Sequence, residues 1–149
     1  MTCADVMTRE PVYCELGDTT DRAAQIMKTQ DVGSVPVCTD IRARKLVGSV
    51  TDRDIALYVV AKGRDANHTQ VASVMTRNAL TCRPEDDLQK ALDAMANYQV
   101  RRIPVVDGDG LLVGIIAQAD VATRVQAAEQ KQTWWSGFRS LRRLRQPDA

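Results

Sequence analysis

Val6-Met7-Thr8-Arg9 returns 68 positions later as Val74-Met75-Thr76-Arg77, and from there the chain is written twice. Cys14 returns as Cys82, Asp18 as Asp86, Ala23 as Ala91, Met27 as Met95, Val32 as Val100, and Pro36-Val37 as Pro104-Val105. After a loop two residues shorter in the second copy, Leu46-Val47-Gly48 returns as Leu112-Val113-Gly114 and Asp54-Ile55-Ala56 as Asp120-Val121-Ala122. Two copies that keep register over such a span mark one structural unit used twice, a fact that precedes any local reading of the fold.

Each copy carries the same local pattern. Pro11 to Glu15 and Ala79 to Arg83 are short and β-favouring, and predict an edge strand. Asp18 and Asp86 offer a side-chain oxygen at a helix start. Ala23, Ala24, Ile26 and Met27, and in the second copy Leu88, Ala91, Leu92 and Met95, follow at helical spacing. Two β-rich runs come next, Ser34 to Cys38 with Leu46 to Val50, and Arg102 to Val106 with Leu111 to Ile116; Asp107-Gly108-Asp109-Gly110 is a hairpin signal. A second helix opens near Thr51 or Ala117. The unit is therefore β-α-β-β-α, with a three-stranded sheet that has one uncovered face. Two copies about a pseudo-twofold axis bury those faces against each other. The expected class is α/β (α+β), with repeat 1 at 3–62, a polar linker at 63–70, repeat 2 at 71–126 and a basic tail at 127–149.

Bulk properties fit a soluble globular chain. Of 149 residues, 44% are hydrophobic and 26% charged, and the net charge of +1 gives no general pull toward nucleic acid or membrane. No apolar run approaches the roughly 20 residues that span a bilayer. The N-terminal stretch lacks the pattern of a signal peptide, so the expected location is cytoplasmic. Cys3, Cys14, Cys38 and Cys82 are dispersed, with no Cys-x-x-Cys spacing for zinc or redox chemistry.

The pattern resembles the CBS domain family. The resemblance rests on the Met-Thr lead-in, the Ala-rich helix ending in Val-x-x-x-Pro-Val, and Leu46-Val47-Gly48-x-Val50-Thr51-x-x-Asp54-Ile55, and it covers about residues 3 to 126. It implies a tandem pair (a Bateman module), often a homodimer, whose usual ligands are AMP, ATP, ADP, NAD or S-adenosylmethionine, with no obligatory cofactor and no metal. Family members place the Asp of this motif on a ribose and the Thr on ribose or phosphate, which assigns those roles to Asp54 and Thr51. Residue by residue, the same resemblance sets Leu80 against the adenine and places Val100, Arg101 and Arg102 where basic residues hold phosphate. A second, weaker site would use Pro11, Val12, Ser34 and Asp120; there Ala117 replaces the hydroxyl residue and Gly33-Ser34 stand where the other copy has its arginines. Physically, a carboxylate in a first helical turn can accept two ribose hydroxyls, and guanidinium forks match phosphate oxygens. Thr51-x-x-Asp54 also reads as a plain capping box, and the arginine pair as a solvated surface.

The remaining features point away from catalysis. His68, the only histidine, sits in the polar linker, and no Ser or Cys has a histidine partner marked in sequence, so no enzyme is expected. Cys14 and Cys38 fall on strands that can be neighbours, which leaves a disulfide open beside the preferred buried, reduced state. The tail carries Trp134, Trp135, Phe138, Leu141 and Leu144 among Arg139, Arg142, Arg143 and Arg145. It reads as a helix docked on the module or a dimer mate, as peripheral membrane contact, or, disfavoured, as nucleic-acid contact. The expected function is regulation by an adenine nucleotide, exerted on an effector protein in trans. The alternative is a scaffold that kept the fold without a ligand.

Overall fold

The computed structural model describes residues 1–77, 79–127 and 129. In chain order the elements are α1 (Cys3–Val6), β1 (Thr8–Arg9), β2 (Cys14–Glu15), α2 (Thr20–Gln30), β3 (Ser34–Cys38), β4 (Leu46–Thr51) and α3 (Asp52–Ile55). α3 runs on as a π-helical turn, Ala56–Val60, and a 3-10 turn, Val71–Ser73, follows the linker. Then come β5 (Thr76–Arg77), α4 (Leu88–Asn97), β6 (Arg102–Val106), β7 (Leu112–Ala117) and a helix over 118–127, α5.

The two sheets are ordered β2-β3-β4-β5 and β1-β7-β6. Each is therefore completed by the lead-in strand of the other repeat: β5 pairs with β4 (Gly48↔Arg77), and β1 pairs with β7 (Arg9↔Gly114). The exchange is reciprocal in detail. Val71 N–H donates to Asp18 O at 2.8 Å and Cys3 N–H to Asp86 O at 2.9 Å; Thr20 N–H donates to Thr69 O at 2.8 Å and Leu88 N–H to Met1 O at 3.0 Å. At the far end the two hairpins meet on the pseudo-twofold axis, with Leu46 N–H on Gly110 O (3.1 Å) and Leu112 N–H on Arg44 O (2.9 Å).

Strand alternation divides the side chains. Val35, Val37 and Val50 turn to a core with Ala23, Met27, Val59 and the second repeat's Val71 and Val74. Ile103, Val105 and Ile116 turn to the matching core with Leu88, Ala91, Met95 and the first repeat's Cys3, Val6 and Met7. Each fully buried Val or Ile contributes about 1.5–3 kcal/mol. The expected burial of the two uncovered sheet faces against each other takes a different form. There are two cores, one behind each sheet, and the facing surfaces leave a cleft.

Two local expectations are corrected. Asp18 and Asp86 do not cap helices: Thr19 and Asp87 are the N-caps of α2 and α4, and Thr19 accepts from Arg22 N–H. Asp18 and Asp86 instead accept from Glu15 N–H and Arg83 N–H, each at 2.8 Å, closing the turn before the helix. The edge strands over 11–15 and 79–83 shrink to Cys14–Glu15 and a single bridge, Cys82↔Val105. Pro11, which has no N–H, cannot extend the first of them as a donor.

The exchange needs room at two glycines. A Cβ at Gly48 would collide with the carbonyl oxygen of Thr76, and one at Gly114 would lie 2.7 Å from Met7 Sδ and 3.0 Å from Thr8 O. Gly48→Ala is expected to lower unfolding stability by about 1–3 kcal/mol, since backbone must shift. Gly17→Ala, with open space around it, is expected to stay within about 0.5 kcal/mol. Urea denaturation of the two variants checks this, and equal effects would contradict the close approach.

Candidate functional site

Between the sheets lies a cleft of about 1350 Å³, open to solvent, above the roughly 300–1,000 Å³ of most small-molecule pockets. Its walls are the residues that alternate with the core: Ser34 and Pro36, Ser49 and Thr51 from one half, Arg102 and Pro104, Ile115 and Ala117 from the other. The cleft has two corners related by the pseudo-twofold axis. In the first, Asp31 in the left-handed region (φ 52) ends α2 and turns the chain into β3. There Ser34 pairs with Thr51, and Asp52 N–H donates to Gly33 O at 2.9 Å. In the second, Gln99 (φ 54) makes the same turn after α4. There Arg102 pairs with Ala117, and Gln118 N–H donates to Arg101 O at 2.9 Å.

The strand-to-helix junction of the first corner is a complete capping box. Thr51 Oγ1 accepts from Asp54 N–H and Asp54 Oδ2 accepts from Thr51 N–H, both at 3.0 Å. The Thr51 hydroxyl hydrogen has no acceptor among the described residues. The second corner has no such box, because Ala117 has no oxygen to offer.

Of the residues singled out in sequence, Thr51, Leu80, Val100, Arg101, Arg102 and Ser34 border the cleft. Asp54 does not border it. It is 9% exposed, with Oδ2 engaged as above, and Oδ1, without a protein donor among the described residues, keeps some exposure of its own. Pro11, Val12 and Asp120 lie off the cleft lining, and Val12 and Asp120 are exposed. The strand pairings set Ser34 beside Thr51 and Arg102 beside Ala117, so each flanks the corner of its own repeat. Sequence reasoning missed Asp31, Asp52, Arg53 and Tyr98, which also border the cleft. Asp52 and Arg53 were within reach of it, as neighbours of Thr51 in the first helical turn.

The charged side chains that line the cleft form no ion pair among the described residues. The ion pairs among the described residues are Arg22–Asp18, His68–Asp65 and Arg83–Glu85. Arg53, Arg101 and Arg102 thus have no carboxylate partner there. His68 is exposed and bonded to Asp65 at 2.7 Å, and no cluster of metal-ligating side chains occurs among the described residues. β2 and β3 are neighbours, as expected for Cys14 and Cys38, and all four cysteines are buried and free. The tail residues from Trp134 to Arg145 lie outside the described residues.

A family model described as "CBS domain" matches residues 3–61 and again 71–127. The chain belongs to the CBS domain family. Among its relatives is the CBS domain-containing protein YhcV of Bacillus subtilis, 38% identical over 125 residues, covering 84% of this chain and 86% of that protein. Hypoxic response protein 1 of Mycobacterium tuberculosis is 35% identical, covering 81% and 82%. A crystal structure of that protein with two coordinated zinc ions superposes on this CBS pair with a TM-score of 0.73, at 32% identity and over 83% of this chain and 98% of that one. The structure of CBSX2 in complex with AMP gives a TM-score of 0.70 at 28% identity, over 88% and 98%. No helix among the described residues of this CBS pair is long and apolar enough to cross a membrane.

Burial pushes the Cys14 and Cys38 thiols up from 9.0 to about 11, with Asp18 adding to the first. A thiol whose pKa is raised by folding stabilises the fold while the unfolded chain keeps its proton. That contribution is lost as pH rises from 9.0 toward about 11. Ultraviolet thiolate absorbance in this window is expected to appear only on unfolding. Titration near 9.0 in the folded protein would contradict the burial.

Proposed function

We propose that this CBS pair is a regulatory module that binds an adenine-containing nucleotide in the cleft between its halves, catalyses no reaction itself, and acts as a homodimer on an effector in trans. The observation that carries the reading is the cleft itself: both repeats line it, and it holds the Thr51 hydroxyl and three arginines that have no carboxylate partner among the described residues. The complex of CBSX2 with AMP supports the ligand class, with AMP, ADP, ATP, NAD and S-adenosylmethionine as candidates. Thr51 is the hydroxyl donor, Asp54 Oδ1 takes a ribose hydroxyl, Leu80 and Val100 give apolar surface for the base, and Arg101 and Arg102 take phosphate. The corner of Ala117 and Asp120, without hydroxyl or capping box, is the poorer ribose site; Pro11 and Val12 then serve it only from outside the cleft lining. A ligand touching both halves favours the arrangement it fits best, and only such differential binding can be transmitted. A cytoplasmic setting and repeats bounded at 3–62 and 71–126 complete the reading.

A scaffold without ligand is the second reading. It is favoured by Ala117 and by the exposed Leu57 and Val60 on the turn after α3, an apolar surface open to a protein partner.

A thermal-shift series with AMP, ADP, ATP, NAD, S-adenosylmethionine and GTP tests the choice. At ten times its dissociation constant the true ligand adds about 1.4 kcal/mol, or roughly 3–6 °C. Adenine compounds are expected to give the shift, Asp54→Ala to abolish it, and Asp120→Ala to leave most of it. No shift with any compound would favour the scaffold.

A further inference from the structure

The crossing of the two repeats carries a chemical asymmetry. Residues 1–9 cross to the second repeat and 69–77 to the first, and Cys3 and Val71 hold the same place in these segments. Cys3 N–H donates to Asp86 O at 2.9 Å, and Val71 N–H to Asp18 O at 2.8 Å. Cys14 and Cys82 likewise hold one place in the two repeats, Cys14 opposite Val37 and Cys82 opposite Val105. One core therefore contains Val71 with Cys14, and the other contains Cys3 with Cys82. In the latter core the two thiols hydrogen-bond each other, and both are buried and free. Ala4 N–H donates to Pro84 O at 2.9 Å, so the crossing segment lies along the chain just after Cys82.

We propose that Cys3 and Cys82 are a dithiol–disulfide pair that latches the first crossing segment to the second repeat. The oxidant is a low-molecular-weight disulfide. One cysteine thiolate attacks a sulfur of that disulfide, forming a mixed disulfide and releasing one small thiolate. The other cysteine thiolate then attacks the cysteine sulfur of the mixed disulfide and releases the second. The cysteines lose two electrons and two protons, and the oxidant takes up both and leaves as two small thiols. Burial pushes both cysteine thiols up from 9.0 and shields them. The docked pair therefore reacts slowly, and the first attack falls to moments when the segment lifts away. Once formed, the bond closes the chain from 3 to 82 and removes conformations from the unfolded state. The counterpart pair, Cys14 with Val71, can form no such bond. Oxidation thus fixes one crossing and leaves the other able to open, which ties the bracing of the cleft to redox state.

The test equilibrates the full chain with glutathione disulfide at graded ratios to glutathione, followed by acid quench, alkylation and peptide mapping by mass spectrometry. The expected product is an intramolecular Cys3–Cys82 crosslink, with Cys14 and Cys38 alkylated. The oxidised chain is expected to melt roughly 5–15 °C above the reduced one, and dithiothreitol to return it to the lower Tm. Cys3→Val places in the first crossing segment the residue that its counterpart carries at position 71. This variant is expected to fold, to form no crosslink and to lose the redox dependence of Tm. Thiols at 3 and 82 that stay open to alkylation at every ratio would overturn the inference. So would a crosslink between Cys14 and Cys38 or between two chains in place of the expected one, equal Tm in the two redox states, or a redox shift that persists in Cys3→Val.

Discussion

The structure depends on the crossing of two short backbone segments. Residues 1–9 leave their own repeat to complete the sheet and core of the second, and residues 69–77 do the same for the first. The hydrogen bonds involved are ordinary, each worth roughly 0.5–1.5 kcal/mol net, but they come in pseudo-symmetric pairs that neither repeat can make alone. With the hairpin contact at Leu46 and Leu112 they brace the two sheets from both ends. What is left between the sheets is the cleft, held open because neither half is free to collapse onto the other.

Most of the regular structure was legible in the sequence because burial leaves a period. Val35, Val37 and Val50, and Ile103, Val105 and Ile116, alternate with residues of the opposite face, and β3, β4, β6 and β7 fall within a residue of their expected ends. The exchange was not legible. Thr8-Arg9 and Thr76-Arg77 are two-residue, exposed strands that pair through backbone alone, so no side-chain pattern announces their partner. The trace they leave is indirect: Gly48 and Gly114, repeated in register, where any side chain would meet the crossing strand. The helix starts went astray for a related reason. Asp18 and Thr19, like Asp86 and Asp87, are adjacent acceptors, and only the fold decides which closes the turn and which caps the helix.

The site was half legible. Thr51 and Asp54 were singled out through the family resemblance; the structure realises the capping box that their spacing implied, with Thr51 on the cleft and Asp54 off its lining. What sequence could not supply was the grouping. Strand register places Ser34 at the Thr51 corner and Arg102 at the Ala117 corner, while all of them share one cleft. That sharing turns sequence divergence between the repeats into a functional statement. The copies differ where they face each other, with acids and a hydroxyl on one side and paired arginines on the other, so a symmetric fold presents an asymmetric surface to a ligand.

The central claim is that one ligand engages both halves at once. Amide-resolved magnetic resonance during a titration with ATP tests it most directly. The account predicts that the perturbed amides cluster at 34, 49–53, 99–102 and 117–119, from both repeats and at a single saturation point. Perturbations confined to one repeat, or falling outside the cleft, would contradict it.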